Sequence, residues 1–247
     1  MIQTLVRFVL CVVVAFRYII PSFVLLLLGN KSGEWTRSVG GPFGRWMLKA
    51  CGAKAEFEGL ENLDPSKTYV FVGNHQSYVD IFLVFASLDA KGMRTLFMAK
   101  RELEKIPLFG PVIWAMGLIP IERGETRQQM ATMFESVKTL DKGYSLTIFA
   151  EGSRTYDGEL QPFKRGAFLL AEQTGKEIVP FVITGSFNIF PRNKFRIRSG
   201  PCKISFQKPI PPGTMKSKEL MAVVEKQIGE LYAVQRVETE AKWSKIK

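Results

Sequence analysis

The stretch Asn74-His75-Gln76-Ser77-Tyr78-Val79-Asp80 sets the only histidine of the chain five residues before a carboxylate. Imidazole is the side chain whose ordinary pKa suits it to take and return protons near neutrality. Asp80 would accept a hydrogen bond from one ring nitrogen and leave the other free to deprotonate a hydroxyl. The same spacing reads equally as a helix cap, with Asp80 satisfying backbone N–H groups and His75 filling a turn. Three further stretches put charged or small residues behind apolar runs. Lys100 follows Thr95–Ala99, Arg123 follows Gly117–Ile121, and Glu151-Gly152-Ser153-Arg154 follows Leu146–Ala150. Gly152 lets a backbone approach a ligand closely, and Arg154 can fork onto phosphate oxygens. Singly, each cation reads as a solvated surface charge. Jointly, three cations behind three predicted strands favour an anion site.

The elements that must position these groups are legible in the apolar pattern. Tyr69–Gly73, Thr95–Ala99, Gly117–Ile121, Leu146–Ala150 and Ile178–Thr184 are short apolar runs of the kind buried strands make. Helical patterns lie between several of them. One starts at Ile81. Another opens on a Thr126-x-x-Gln129 capping box, keeps helical spacing through Leu140 and ends at Gly143. A third covers Phe163 to Thr174 and closes at Gly175. Strands alternating with helices predict an α/β fold, with a largely parallel or mixed sheet flanked by helices. Arg192, Lys194, Arg196 and Arg198 alternate with Phe195 and Ile197, the pattern of a strand with one basic face. Ser217 to Tyr232 reads as an amphipathic helix, and the tail to Lys247 as frayed.

Residues 1–52 differ from the α/β domain expected over 53–247. Leu5 to Leu28 is almost wholly apolar, interrupted by Arg7, Arg17 and Pro21, and no small-residue cleavage site follows it. Trp35, Arg37, Arg45, Trp46 and Lys49 then mix aromatic and cationic residues as membrane interfaces do, while Gly40-Gly41-Pro42 should bend or break a helix. The expectation is a retained, membrane-associating two-helix segment. It would lie in one leaflet on the cytoplasmic face, with Arg7 and Arg17 reaching the headgroups; a spanning helix is the alternative. Spanning would put Arg17 near the midplane, at a cost of roughly 2.5–3.5 kcal/mol. The net charge of +11 suits an anionic partner. Three scattered cysteines and one histidine support neither a disulfide framework nor a metal site, and no bound cofactor is expected.

Asn74 to Asp80, the Lys100 segment, Gly117 to Arg123, Glu151 to Arg154 and Val179-Pro180-Phe181 resemble, in order and spacing, the glycerolipid acyltransferase family. Within it the chain looks like the bacterial lysophosphatidate acyltransferases. Ser153 stands where that family usually has threonine, which keeps the hydroxyl. The resemblance implies acyl transfer from a thioester, on acyl carrier protein or coenzyme A, to the sn-2 hydroxyl of lysophosphatidate at a membrane lipid surface. His75 would be the base and Asp80 its orienting partner. Arg154, with Lys100 and Arg123, would hold the phosphate. Glu151 would orient Arg154 or the glycerol hydroxyl, or form an ion pair in the site wall. No Gly-x-Ser-x-Gly serine is present and no cysteine lies near His75 in sequence, so a covalent acyl-enzyme is not expected. Two other readings compete: a membrane-associated thioesterase using the same pair on water, and a non-enzymatic basic protein binding lipid or nucleic acid. The second leaves a histidine at a strand end unexplained, so nucleic acid is not expected as a partner.

Overall fold

The computed structural model describes residues 1–29, 38–107, 110, 118–121, 142–192, 194–213 and 215–246. Its strands are β1 (Ala53–Glu58), β2 (Val70–Gly73), β3 (Thr95–Lys100), β4 (Ile119–Ile121), β5 (Ser145–Phe149), β6 (Ile178–Thr184) and β7 (Gly200–Phe206). Its helices are α1 (Ile2–Leu27), α2 (Gly40–Cys51), α3 (Val79–Ala90), α4 (Gly166–Thr174), the short α5 (Ser186–Ile189) and α6 (Ser217–Ser244). The strands form one sheet in the order β1-β7-β6-β2-β5-β3-β4. All neighbours are parallel except β6 and β7, so the sheet is mixed. The capping-box helix expected from Thr126 lies outside the described residues, as does Arg123.

Strands β2 and β6 are buried along their whole length, which is why their sequences are continuous apolar runs. Alternate residues still serve opposite faces. Phe71, Val179, Phe181 and Ile183 join the core that receives Leu83 and Val84 of α3 and Met47 and Leu48 of α2. Val70, Val72, Ile178 and Val182 join the other core, with Phe168 and Leu170 of α4 and Val224 and Ile228 of α6. From β2 the chain runs through α3 to β3, past β5. From β5 it runs back through α4 to β6, past β2. These crossovers leave toward opposite edges, and such a switch point opens a crevice at the carboxyl ends of the strands. His75 follows β2 and Arg154 follows β5, so both stand at that crevice.

Several expectations change. Gly40, Gly41 and Pro42 do not break a helix; they form the first turn of α2. Proline is tolerated there because no earlier carbonyl awaits its N–H, and the absence of Cβ atoms lets α2 lie directly on α3. A Cβ at Gly44 would sit 2.9 Å from the Phe82 carbonyl oxygen. The basic alternation at 192–198 is irregular chain, and the strand begins only at Gly200. Its Phe195 is exposed and meets Phe8 of α1 edge to face, while the Ile197 carbonyl accepts from Thr4. Finally, α6 does not fray after Tyr232. It runs to Ser244, and buried Trp243 donates from Nε1 to the Pro201 carbonyl at 2.9 Å.

Helix α1 is continuous through Pro21. Ser22 Oγ donates to the Tyr18 carbonyl at 2.7 Å. At about 1.5 Å per residue the helix is long enough to cross a bilayer core, and its apolar window has a mean hydropathy of 2.4. One side nonetheless packs along the domain. Cys11 Sγ lies 3.5 Å from Cys51 Sγ, Tyr18 meets Phe43, and the Arg7 guanidinium lies against Gly52. Arg7 therefore does not reach outward, contrary to expectation.

The contact between α2 and α3 is the most sensitive point of this frame. Gly44→Ala should destabilise the protein by about 1–3 kcal/mol through overpacking against backbone, read as a lower urea midpoint. An unchanged midpoint would mean that the helices separate freely.

Candidate functional site

Gly73 ends β2, and the next residue fixes the corner. Asn74 is buried and bridges to β6: its side chain donates to the Ile183 carbonyl at 2.9 Å and accepts from the Ile183 N–H at 2.8 Å. The chain then turns into α3, whose first turn contains Asp80. Asp80 Oδ2 accepts from His75 Nδ1 at 2.8 Å, from the Gln76 N–H at 2.6 Å and from the Ser77 N–H at 2.8 Å. The base-partner and capping readings thus both describe it. A carboxylate beside a ring nitrogen makes Nδ1 the donor, which leaves Nε2 as the lone-pair nitrogen. The imidazole lies flat on Phe149, with ring centroids 3.9 Å apart and planes inclined by 11°. Its side chain is 14% exposed while Asp80 is wholly buried.

Among the described residues, Glu151 is bonded neither to Arg154 nor to any other cation. Its Oε1 accepts from the His75 N–H at 2.9 Å and its Oε2 from the Gln161 N–H at 3.3 Å. It binds the backbone of the histidine loop, and among the described residues no ion pair is recorded for it. Burial pushes its carboxyl up to about 8, against the pull of those two N–H donors. The carbonyl of the same residue is held as well, since Thr155 N–H donates to the His75 carbonyl at 3.0 Å.

Gly152 makes its turn at φ +71°, and a Cβ there would meet Lys164 Nζ at 2.8 Å. Its missing side chain makes room for a neighbouring cation that the sequence reading did not single out. Ser153 is exposed beside it. Arg154 stacks its guanidinium over the Tyr78 ring at 3.5 Å, and its Nη1 is buried without an acceptor among the described residues. Lys100 is the last residue of β3; its side chain lies outside the described residues, as does Arg123. The structure thus brings His75, Asp80, Glu151 and Arg154 together at one crevice. Phe149 reads in the sequence as one apolar residue of Leu146–Ala150 and Tyr78 as part of the corner stretch, so neither stands out there as an aromatic face. Gln76 does not stand out either: its Nε2 donates to the Gly158 carbonyl and to Tyr232 Oη at 3.0 and 2.6 Å, tying the loop to α6.

The family model named Acyltransferase matches residues 54–184, just over half of the chain, including His75, Asp80, Glu151 and Arg154. The chain belongs to the acyltransferase family. Among its relatives is a chloroplastic 1-acyl-sn-glycerol-3-phosphate acyltransferase of Brassica napus, 36% identical over 159 residues, which cover 64% of this chain and 45% of that one. Another is a 1-acyl-sn-glycerol-3-phosphate acyltransferase alpha of Bos taurus, 33% identical over 176 residues, 71% of this chain and 60% of that one. The chain thus spans about half the length of the curated relatives it matches. The crystal structure of the 1-acyl-sn-glycerophosphate acyltransferase of Thermotoga maritima superposes with a TM-score of 0.78, at 23% identity, over 95% of both chains. That likeness extends the shared fold over residues outside the family match.

The raised carboxyl of Glu151 gives a measurable signature in this acyltransferase. An acid whose pKa rises on folding favours the folded state below its ordinary value and loses that contribution as pH climbs through the raised one. Wild type should therefore lose stability relative to Glu151→Gln between pH 4.5 and about 8, and run parallel to it above. Urea midpoints across that range test this; a constant difference would mean that burial imposes no such penalty.

Proposed function

We propose that this acyltransferase moves a fatty acyl chain from a thioester, on acyl carrier protein or coenzyme A, to the sn-2 hydroxyl of lysophosphatidate, giving phosphatidate. The observation that carries the reading is the His75–Asp80 pair with Nε2 left free at the crevice, in a chain of this family. The printed activities of the plant and bovine relatives support the choice of acceptor. In this reading His75 Nε2 takes the hydroxyl proton as the oxygen attacks the thioester carbon. Asp80 holds Nδ1–H and stabilises the imidazolium. As the tetrahedral adduct collapses, the carbon–sulfur bond breaks and the thiolate leaves with that proton. Arg154, with Lys100 and Arg123 as expected from sequence, holds the acceptor's phosphate, and the flat stack on Tyr78 orients its fork.

The same reading puts the enzyme on the cytoplasmic face of the membrane, with residues 1–52 in one leaflet. The packing of α1 supports this. Contacts from Thr4 to Tyr18 run along the domain and α2, so a helix crossing the bilayer would have to surrender them. Its other side leaves Leu5, Val9, Val13, Phe16 and Ile20 exposed for the acyl chains.

Incubating the purified protein with lysophosphatidate and acyl thioesters on both carriers, and identifying the lipid product, tests the activity. His75→Ala should lower turnover about a hundred- to ten-thousand-fold, and Asp80→Asn should lower turnover more than it raises KM. Retention of more than roughly a tenth of turnover by His75→Ala would remove His75 as the base. Thiol release without lysophosphatidate would instead favour a thioesterase. For topology, single cysteines at Gln3→Cys and Lys208→Cys, in a variant lacking the native ones, should both resist an impermeant maleimide in intact cells. Labelling of position 3 alone would mean that α1 spans.

A further inference from the structure

The structure assigns Arg192 a role that the motifs do not: it is the second guanidinium of a site for a phosphomonoester dianion, and so a specificity-determining residue. This rests on the acceptor reading above and sharpens it.

Arg192 is sequence-remote from the histidine loop, yet the chain before it is fastened there. Ser77 Oγ donates to the Phe190 carbonyl at 2.6 Å, Ser77 and Pro191 pair as an isolated antiparallel bridge, and the Tyr78 and Phe190 rings lie 4.8 Å apart. The next residue reaches toward the loop after β5. Arg192 Nη1 donates to the Arg154 carbonyl at 3.1 Å, and its guanidinium lies over the Tyr156 ring at 4.3 Å. Arg154 itself lies over Tyr78 at 3.5 Å. The Arg192 guanidinium is thus fastened to the main chain of Arg154, and each guanidinium lies over a tyrosine ring.

Among the described residues, no carboxylate forms an ion pair with Arg154 or Arg192, although other cations such as Lys203 and Arg236 have two acidic partners each. Arg154 Nη1 is buried with no acceptor among the described residues. A buried donor left unmade is costly, and an arginine with no acidic partner among the described residues keeps its full charge for a ligand. A ligand with two negative charges meets both conditions. A phosphomonoester carries close to two charges at neutral pH, since its second pKa is about 6. A phosphodiester carries one and offers fewer free oxygens. The pair therefore separates lysophosphatidate from lysophospholipids whose phosphate bears a headgroup.

The test compares wild type, Arg192→Gln and Arg192→Lys on lysophosphatidate and on lysophosphatidylglycerol, a phosphodiester. Arg192→Gln should raise KM for lysophosphatidate roughly tenfold or more, by loss of one charge-assisted contact. KM for the acyl thioester should stay unchanged, and the preference for monoester over diester should fall. Its kcat/KM for lysophosphatidate should also rise less steeply as the phosphate ionises near pH 6. Arg192→Lys, which keeps the charge, should restore part of the preference. A preference unchanged in Arg192→Gln, or a rise in the thioester KM instead, would overturn the assignment. Binding of glycerol 3-phosphate, read as a thermal shift, separates this from the acceptor reading. A shift in wild type that Arg192→Gln loses would uphold the dianion site even if lysophosphatidate were not acylated. No shift in wild type would overturn it.

Discussion

One carboxylate oxygen organises the crevice. Asp80 Oδ2 gathers the imidazole N–H and two successive backbone N–H groups, so the acid that orients the ring also fixes the loop that carries it. An anion at the start of α3 is favoured by the helix dipole. Burial with hydrogen bonds to both ring and backbone makes the arrangement single-valued. Without those donors a wholly buried carboxylate would be expensive; without the carboxylate, the corner between β2 and α3 would lose the acceptor for its backbone. The His75–Asp80 pair and the fold of the corner are therefore one interaction.

The rest of the sheet is arranged to support that corner. Asn74 pins it to β6, Glu151 and Thr155 pin it to the loop after β5, and Gln76 pins it to α6. All four restraints join residues more than 70 positions apart in sequence. The dense cores on both faces of the sheet keep those segments in register. The site thus draws its rigidity from long-range burial, and the reactive ring needs only the flat face of Phe149 to define its plane.

What the sequence disclosed follows from how local each signal is. The His75–Asp80 pair is five residues apart and could be read directly. The apolar runs of β2, β5 and β6 were also readable, because both of their faces are buried and most positions are apolar. The alternation at 192–198 misled, since a loop held by Phe8 and Thr4 of α1 can mimic a period of two without any strand partner. Helix α6 was read short for the opposite reason. Its buried side turns polar past Tyr232, where Gln235 bonds Ser205 and Thr239 bonds Thr184, so the apolar period stops while the helix continues. The stacking of Arg154 on Tyr78 and the reach of Arg192 to the Arg154 carbonyl depend on tertiary neighbours, and spacing carries no trace of them. Glu151 was found as a residue but not as a role, because its partners are backbone groups that any sequence would supply.

The double hold on the His75 backbone has a geometric consequence. Its N–H is bound by Glu151 and its C=O by Thr155, the residues three before and one after Arg154. On the proposed reading, base and phosphate grip are thereby set on a common rigid body, and the separation between them becomes a fixed length. A fixed length acts as a ruler. An acceptor whose phosphate is seated presents to Nε2 only the hydroxyl lying the correct number of bonds away. On the proposed reading, positional selectivity for sn-2 then comes from measurement along the glycerol skeleton, with no side chain needed to recognise that hydroxyl by itself.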